Sequence, residues 1–308
     1  MATADRVGRR TTDEPTGPGR GVAVLPWTCT GAGSLEDPVS GTTQTLRHAT
    51  VTLPGGLRLH TVEQGDPAGP PVVLVHGWPD SWLSWSRVLP HLDPRLRAIA
   101  YSQRGFGDSD RPPAGYTIDR FADDLVDLCE ALGVQRAHLV GHSYGSFVVR
   151  RVAEQHPDRV DRMVLIGSAD RMGDALAEEI RAAIADLPDD IPDDFAREFS
   201  AGTVHRPVAP EFFDALVAEC RKAPGWVYRD SWEGLVRSDD RDRLRDVTAP
   251  TLVLWGDRDA LFDRAQQDRL LAALPAGELR VYSDTGHCPN WERPDDVAAD
   301  LNAFLRPA

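Results

Sequence analysis

Short apolar runs recur along most of the chain, and their lengths predict strands. Val72-Val73-Leu74-Val75 is continuous, and Ala98-Ile99-Ala100-Tyr101, Ala137-His138-Leu139-Val140, Met163 to Ile166, Thr251 to Trp255 and Leu279 to Tyr282 are similar. That is the pattern of strands covered on both faces. Ala49 to Leu53 and Leu57 to Glu63 flank Pro54-Gly55-Gly56 and read as two strands joined by a turn. Helical patterns lie between several runs. Ile118, Phe121, Leu125, Leu128 and Leu132 fall at helical spacing, after Thr117 as N-cap and before Gly133 as the C-terminal glycine. Strands alternating with helices predict an α/β fold with a mostly parallel sheet covered on both faces.

Two segments depart from this alternation. Residues 1–47 are rich in Gly, Pro, Thr and charge and lack periodicity apart from Val22-Ala23-Val24-Leu25; they read as a disordered or loosely packed extension. Residues 168–247 show helical patterns and polar loops but no strand. Ala175 to Ile184, Asp193 to Phe199 and Pro210 to Cys220 read as helices, punctuated by Pro188, Pro192, Pro207 and Pro224. The expected organisation is therefore a core of residues 48–167 and 248–308, interrupted by a helical insertion at 168–247.

Bulk properties narrow the function classes. The chain has 308 residues, 41% of them hydrophobic, and a formal net charge of −14. An acidic surface argues against nucleic acid or an anionic membrane as the main partner. No run of eighteen or more apolar residues predicts a membrane-spanning helix. Residues 1–20 lack the apolar stretch of a signal peptide, so a cytoplasmic location is the default expectation. Cys29, Cys129, Cys220 and Cys288 are widely spaced and suggest neither a zinc site nor a disulfide framework. No cofactor is implied, and oligomeric state is not legible.

The chemistry centres on Gly141-His142-Ser143-Tyr144-Gly145, between the run Ala137 to Val140 and a helical pattern from Ser146 to Gln155. Strand, tight turn and helix in that order fit a nucleophile elbow, which pushes a serine hydroxyl into solvent. A serine needs a base within reach, and the base needs an orienting acid. In a parallel sheet these groups project from loops at the carboxyl ends of strands. His287, in Ser283-Asp284-Thr285-Gly286-His287, follows the last run and is the base candidate; the other histidines lie in strands, near helix ends or in loops with other uses. Asp259, in Gly256-Asp257-Arg258-Asp259, is the favoured acid. Asp257 competes but lies nearer the strand end, where a carboxylate more often braces the turn. Asp170, after Met163 to Ile166, is a further rival. An oxyanion site needs two convergent backbone N–H groups. Tyr144 supplies one, and Trp78, in His76-Gly77-Trp78-Pro79, is the candidate for the other.

From about Ala49 onward the chain resembles the α/β-hydrolase superfamily. The resemblance rests on His76-Gly77-Trp78-Pro79, Arg104-Gly105-Phe106-Gly107-Asp108-Ser109-Asp110, the elbow, Gly256-Asp257-Arg258-Asp259 and Gly286-His287, in that family's order. It implies an eight-stranded sheet flanked by helices, with residues 168–247 as a helical cap after strand 6 that roofs the pocket. The Arg104 to Asp110 segment reads as a structural turn.

The His76 to Pro79 segment and the cap look closest to the epoxide-hydrolase and haloalkane-dehalogenase branch. That branch attacks with aspartate, where this chain has Ser143, and its epoxide openers use cap tyrosines, of which the insertion has only Tyr228. A serine with an oxyanion site suits acyl transfer from a carboxylic ester or lactone of a small to medium apolar substrate, through an acyl-enzyme intermediate. Cofactor-free perhydrolases and carbon–carbon bond hydrolases are enzymatic alternatives, and a ligand receptor with an intact triad is an alternative of another class. An apolar pocket is expected, with Trp82, Phe199, Phe213, Trp226 and Phe262 as lining candidates.

Overall fold

The apolar runs become strands: β1 (Arg47–Thr52), β2 (Arg58–Gly65), β3 (Pro71–Val75), β4 (Arg97–Tyr101), β5 (Ala137–His142), β6 (Val160–Ile166), β7 (Thr251–Gly256) and β8 (Gly277–Tyr282). The structure, a computed structural model, describes residues 45–305. The expectation for the N-terminal extension thus falls almost wholly outside the described residues, and its last residue, Arg47, opens β1. The strands form one eight-stranded sheet in the order β1-β2-β4-β3-β5-β6-β7-β8. Only the pairings of β2, with β1 and with β4, are antiparallel.

The register explains the continuous apolar runs. Residues 72–75 pair with β4 on one side and β5 on the other, so β3 sits in the sheet's interior. Its side chains alternate between two cores. Val73 and Val75 join one with Phe121, Leu125, Phe147 and Val148. Val72 and Leu74 join the other with Trp85, Val297 and Leu301. Because β3, β5, β6, β7 and β8 run parallel, the loops after Val75, His142, Ile166, Gly256 and Tyr282 all emerge at one end of the sheet.

The flanking helices are α1 (Ile118–Ala131) and α2 (Tyr144–Gln155). The Thr117 hydroxyl accepts from the Arg120 N–H at 3.3 Å, and Gly133 has φ +69°, so both ends of α1 terminate as the sequence predicts. After β6 come four helices: α3 (Asp174–Ile184), α4 (Asp193–Gly202), α5 (Pro210–Cys220) and α6 (Gly225–Val236). α7 (Arg264–Ala273), α8 (Pro289–Glu292) and α9 (Pro294–Phe304) complete the described chain.

α6 was not legible in the sequence. Its glycines disfavour a helix locally, but both lie against other backbone. A Cβ on Gly234 would stand 1.8 Å from the Tyr116 carbonyl, and one on Gly225 2.3 Å from that of Leu187. Tertiary packing decides this element, burying Val227, Tyr228, Ser231, Trp232 and Leu235.

Buried ion pairs fix the parts that carry the site. Arg104 pairs with Asp124 on α1, which ties down the Arg104 to Asp110 turn. Arg150 on α2 meets Asp240 in a two-pronged contact of 2.8 and 3.0 Å, with the two side chains 0% and 4% exposed. Removing Asp240 strips the buried guanidinium of its two-pronged partner and leaves it the Ala169 carbonyl, the Phe147 ring and the more distant Glu154 carboxylate. Asp240→Ala is therefore expected to lower unfolding free energy by about 3–5 kcal/mol. Urea denaturation checks this; a loss below about 1 kcal/mol would contradict the burial argument.

Candidate active site

The elbow is built by backbone crowding. Ser143 stands between β5 and α2 at φ 50°, ψ −118°, a conformation that costs a non-glycine residue energy. Its N–H donates to the Ile166 carbonyl at 2.8 Å, and its own carbonyl accepts from the Ser146 N–H at 2.8 Å. A Cβ on Gly141 would meet the Gly145 carbonyl oxygen at 2.4 Å, and one on Gly145 the Val75 oxygen at 2.3 Å. Glycine is thus required on both sides of the serine.

The loop after β8 brings His287 to the same end of the sheet. Its Nδ1 lies 2.9 Å from Asp259 Oδ2. The other carboxylate oxygen of Asp259 accepts from the N–H groups of Leu261 at 2.8 Å and Phe262 at 3.1 Å. A carboxylate bound this way is an acceptor, so His287 Nδ1 carries the proton and Nε2 presents a lone pair. That Nε2 is buried and has no hydrogen-bond partner among the described residues.

The two rival carboxylates are engaged elsewhere. Asp257 Oδ1 accepts from the Asp284 N–H at 2.7 Å, bracing the loops after β7 and β8 together. Asp170 pairs with Arg269 at 2.8 Å.

Trp78 and Tyr144 both border Ser143 in one cavity. Tyr144 is the first residue of α2, where the N–H has no intrahelical acceptor. The Trp78 N–H likewise makes no hydrogen bond among the described residues. The Trp78 indole packs on Phe199, Tyr228 and Trp232 of the insertion and donates from Nε1 to Ser231 Oγ at 2.9 Å.

The cavity between the sheet end and the insertion is small, about 30 Å³, room for one or two waters by the usual measure. Its floor holds Ser143, His287, Trp78 and Tyr144; Met172, Leu176, Ile180, Phe199 and Leu235 of the insertion form an apolar roof, and Phe262 completes the wall. Among the described residues no cluster of three or more His, Cys, Asp or Glu is arranged to hold a metal ion. No described helix is long and apolar enough to cross a membrane.

A profile of the alpha/beta hydrolase fold family matches residues 70–294. The chain belongs to the α/β-hydrolase family. It is similar to Epoxide hydrolase 4 of Mus musculus, with 32% identity across 88% of this chain and 82% of that protein. It is also similar to a non-heme chloroperoxidase of Streptomyces lividans, with 30% identity across 83% and 99%. Among solved structures, a thermophilic esterase from Thermogutta terrifontis superposes with a TM-score of 0.75, at 28% identity over 84% of this chain and 98% of that one.

Of the five aromatic lining candidates in this hydrolase, Phe199 and Phe262 reach the cavity and three do not. Trp82 stands edge-on to His48 and His60. Phe213 lies under the Arg197 guanidinium. Trp226 packs on Tyr116. Each has a partner on a different face of its element, which composition does not reveal. Leu176 and Ile180, one helical turn apart on α3, take the places expected of aromatics; their spacing was the available signal.

Asp80 and His142 are wall residues that motif reasoning passed over. Asp80 is buried, with Oδ2 2.8 Å from Ser84 Oγ and 4.0 Å from His142 Nδ1. Burial raises its pKa from 3.8 to about 6, against the opposing effect of the hydrogen bond from the Ser84 hydroxyl. Burial also holds His142 well below the usual imidazole range.

A carboxyl whose folded pKa lies above its unfolded value favours folding only while protonated. Its contribution is present below pH 3.8 and is lost as pH rises to about 6. Asp80→Asn removes that titration. The stability of the variant relative to the parent should therefore rise between pH 4 and pH 6, by on the order of 3 kcal/mol in total. Paired urea titrations across this range check it, and a pH-independent difference would refute it.

Proposed function

We propose that this chain is a serine hydrolase that cleaves small apolar carboxylic esters or lactones through an acyl-enzyme. The observation that carries the reading is the Asp259–His287 pair, whose free Nε2 shares a buried cavity with Ser143. Ser143 Oγ attacks the substrate carbonyl while His287 Nε2 takes its proton. The oxyanion is held by the N–H groups of Trp78 and Tyr144. His287 then protonates the leaving alkoxide and next activates water, which releases the acid and restores Ser143. Asp259 keeps His287 in the required tautomer throughout.

Related enzymes named for epoxide hydrolysis do not shift this reading. Attack by serine on an epoxide leaves an alkyl ether, which water does not readily cleave. Tyr228, the single tyrosine of the insertion, donates its hydroxyl to the Cys220 carbonyl at 2.9 Å. It does not border the cavity, so it is poorly placed to protonate an opening epoxide.

The similarity to a chloroperoxidase favours one second reading. The same acyl-enzyme attacked by hydrogen peroxide instead of water yields a peracid, with no change of residues. Formation of peracetate from acetate and hydrogen peroxide at a rate exceeding ester hydrolysis would favour that reading.

The tight apolar roof favours short acyl groups. Purified protein is expected to release p-nitrophenol from the acetate and butyrate esters with a kcat/KM at least about tenfold above that for the octanoate, a few extra methylenes without room in the cavity being ample for this. Ser143→Ala and His287→Ala should each lower kcat at least about a thousandfold, and the double variant no further. Undiminished turnover by Ser143→Ala would sink the mechanism.

A further inference from the structure

Glu292, the last residue of α8, has no part in the proton transfers above, yet it joins two segments that matter to them. Its carboxylate accepts from the Gly286 N–H at 2.9 and 3.0 Å, immediately before His287. Oε2 also accepts from the N–H groups of His205 at 3.1 Å and Arg206 at 2.7 Å, in the insertion loop that follows α4. One carboxylate thus gathers three backbone donors from two loops 80 residues apart in sequence.

The same junction is closed at other points. The His287 N–H donates to the Thr203 carbonyl at 2.9 Å. A Cβ on Gly286 would stand 2.6 Å from His205 N and 2.7 Å from Glu292 Oε1, so the loops touch with no side chain between them. Trp291, next to Glu292, donates to Ser84 Oγ at 3.1 Å and anchors α8 to the core. Charge-assisted bonds of this kind are about twice as strong as neutral ones.

We propose that Glu292 is a positioning residue that fastens the Thr203–Arg206 loop of the insertion to the loop bearing His287, so that seating the roof and placing the base are one event. This rests on the serine-hydrolase reading only for its kinetic consequence; the mechanical coupling stands apart from it.

The test uses the full chain with Glu292→Gln, which removes the charge and turns an amide donor toward backbone donors. Hydrogen exchange should quicken at least about tenfold in both the 203–206 and the 283–288 segments, the expected result when a shared local opening becomes easier. On a short p-nitrophenyl ester, kcat should fall about 10- to 100-fold while KM changes less than about threefold, as expected for a misplaced base. Lys222→Ala breaks another contact between insertion and core, the 2.8 Å pair with Asp108, and should leave kcat and exchange at 283–288 unchanged. Should E292Q not fold, E292D keeps the charge but falls one methylene short and carries the same test. Faster exchange in only one loop, or in neither, overturns the coupling. Coupled exchange with unchanged kcat overturns the positioning role. Loss of the serine-hydrolase reading would show separately, as wild-type protein that neither turns over esters nor is labelled by a fluorophosphonate.

Discussion

The site depends on how closely two backbones approach where α2 begins. Gly145 lies so near the end of β3 that a Cβ would stand 2.3 Å from the Val75 oxygen and 2.6 Å from the His76 oxygen. This contact lets the first turn of α2 rest directly on the neighbouring strand. The chain can reach that position from β5 only through a sharp bend, and Ser143 takes it at φ 50°. Such strain costs on the order of 1–3 kcal/mol and persists only where the surroundings over-determine it. Here they do so through the Ile166 and Ser146 hydrogen bonds on either side of the serine. The bend also sets the start of α2 beside the loop that carries Trp78, so one crowded contact arranges both the nucleophile candidate and the two candidate donors.

A second crowded region fixes the histidine. Gly256, at the end of β7, lies where a Cβ would meet the Thr285 and Gly286 oxygens at 2.2 Å, and a Cβ on Gly167 would stand 2.5 Å from the His287 oxygen. The His287 backbone is thus boxed between the ends of β6 and β7. His142 Nε2 meets its carbonyl at 3.3 Å. With the backbone held, Asp259 needs only to orient the ring, and the two N–H groups that hold its other oxygen keep the carboxylate from turning away. Side-chain precision here follows from backbone contacts that only glycine permits.

This division explains what the sequence made legible. Strand runs, the strand–turn–helix around Ser143 and the caps of α1 are local patterns, and each formed where expected, except that β8, read as covered on both faces, is the sheet's edge strand and largely unburied. The choice of Asp259 over Asp257 also had a local basis, because a carboxylate nearer the strand end can reach the next loop's N–H, as Asp257 does with Asp284. α6 had no such basis: its glycines oppose a helix, and only contact with Tyr116 and Leu187 makes them necessary. The aromatic lining failed for the same reason. Trp82, Phe213 and Trp226 are apolar enough for a pocket, but their direction is set by partners distant in sequence. Asp80 was passed over because nothing in His76-Gly77-Trp78-Pro79-Asp80 shows that its carboxyl is buried beside His142.

The insertion reaches the candidate reacting groups through more than the cavity roof. Its helix α6 holds the Trp78 indole through Ser231, and its Thr203 carbonyl receives the His287 N–H. Two loops at the carboxyl end of the sheet, after β3 and after β8, are therefore bonded to the segment that also shapes the cavity. A roof joined in this way cannot be exchanged for another shape while the floor stays as it is. Changes that enlarge the cavity at Leu176 or Ile180 leave these bonds alone, because α3 makes neither of them. Changes near Thr203 or Ser231 act on floor and roof together. The geometry thus separates positions on the insertion where the shape of the cavity can vary freely from positions where any change in shape also moves the loops that carry His287 and Trp78.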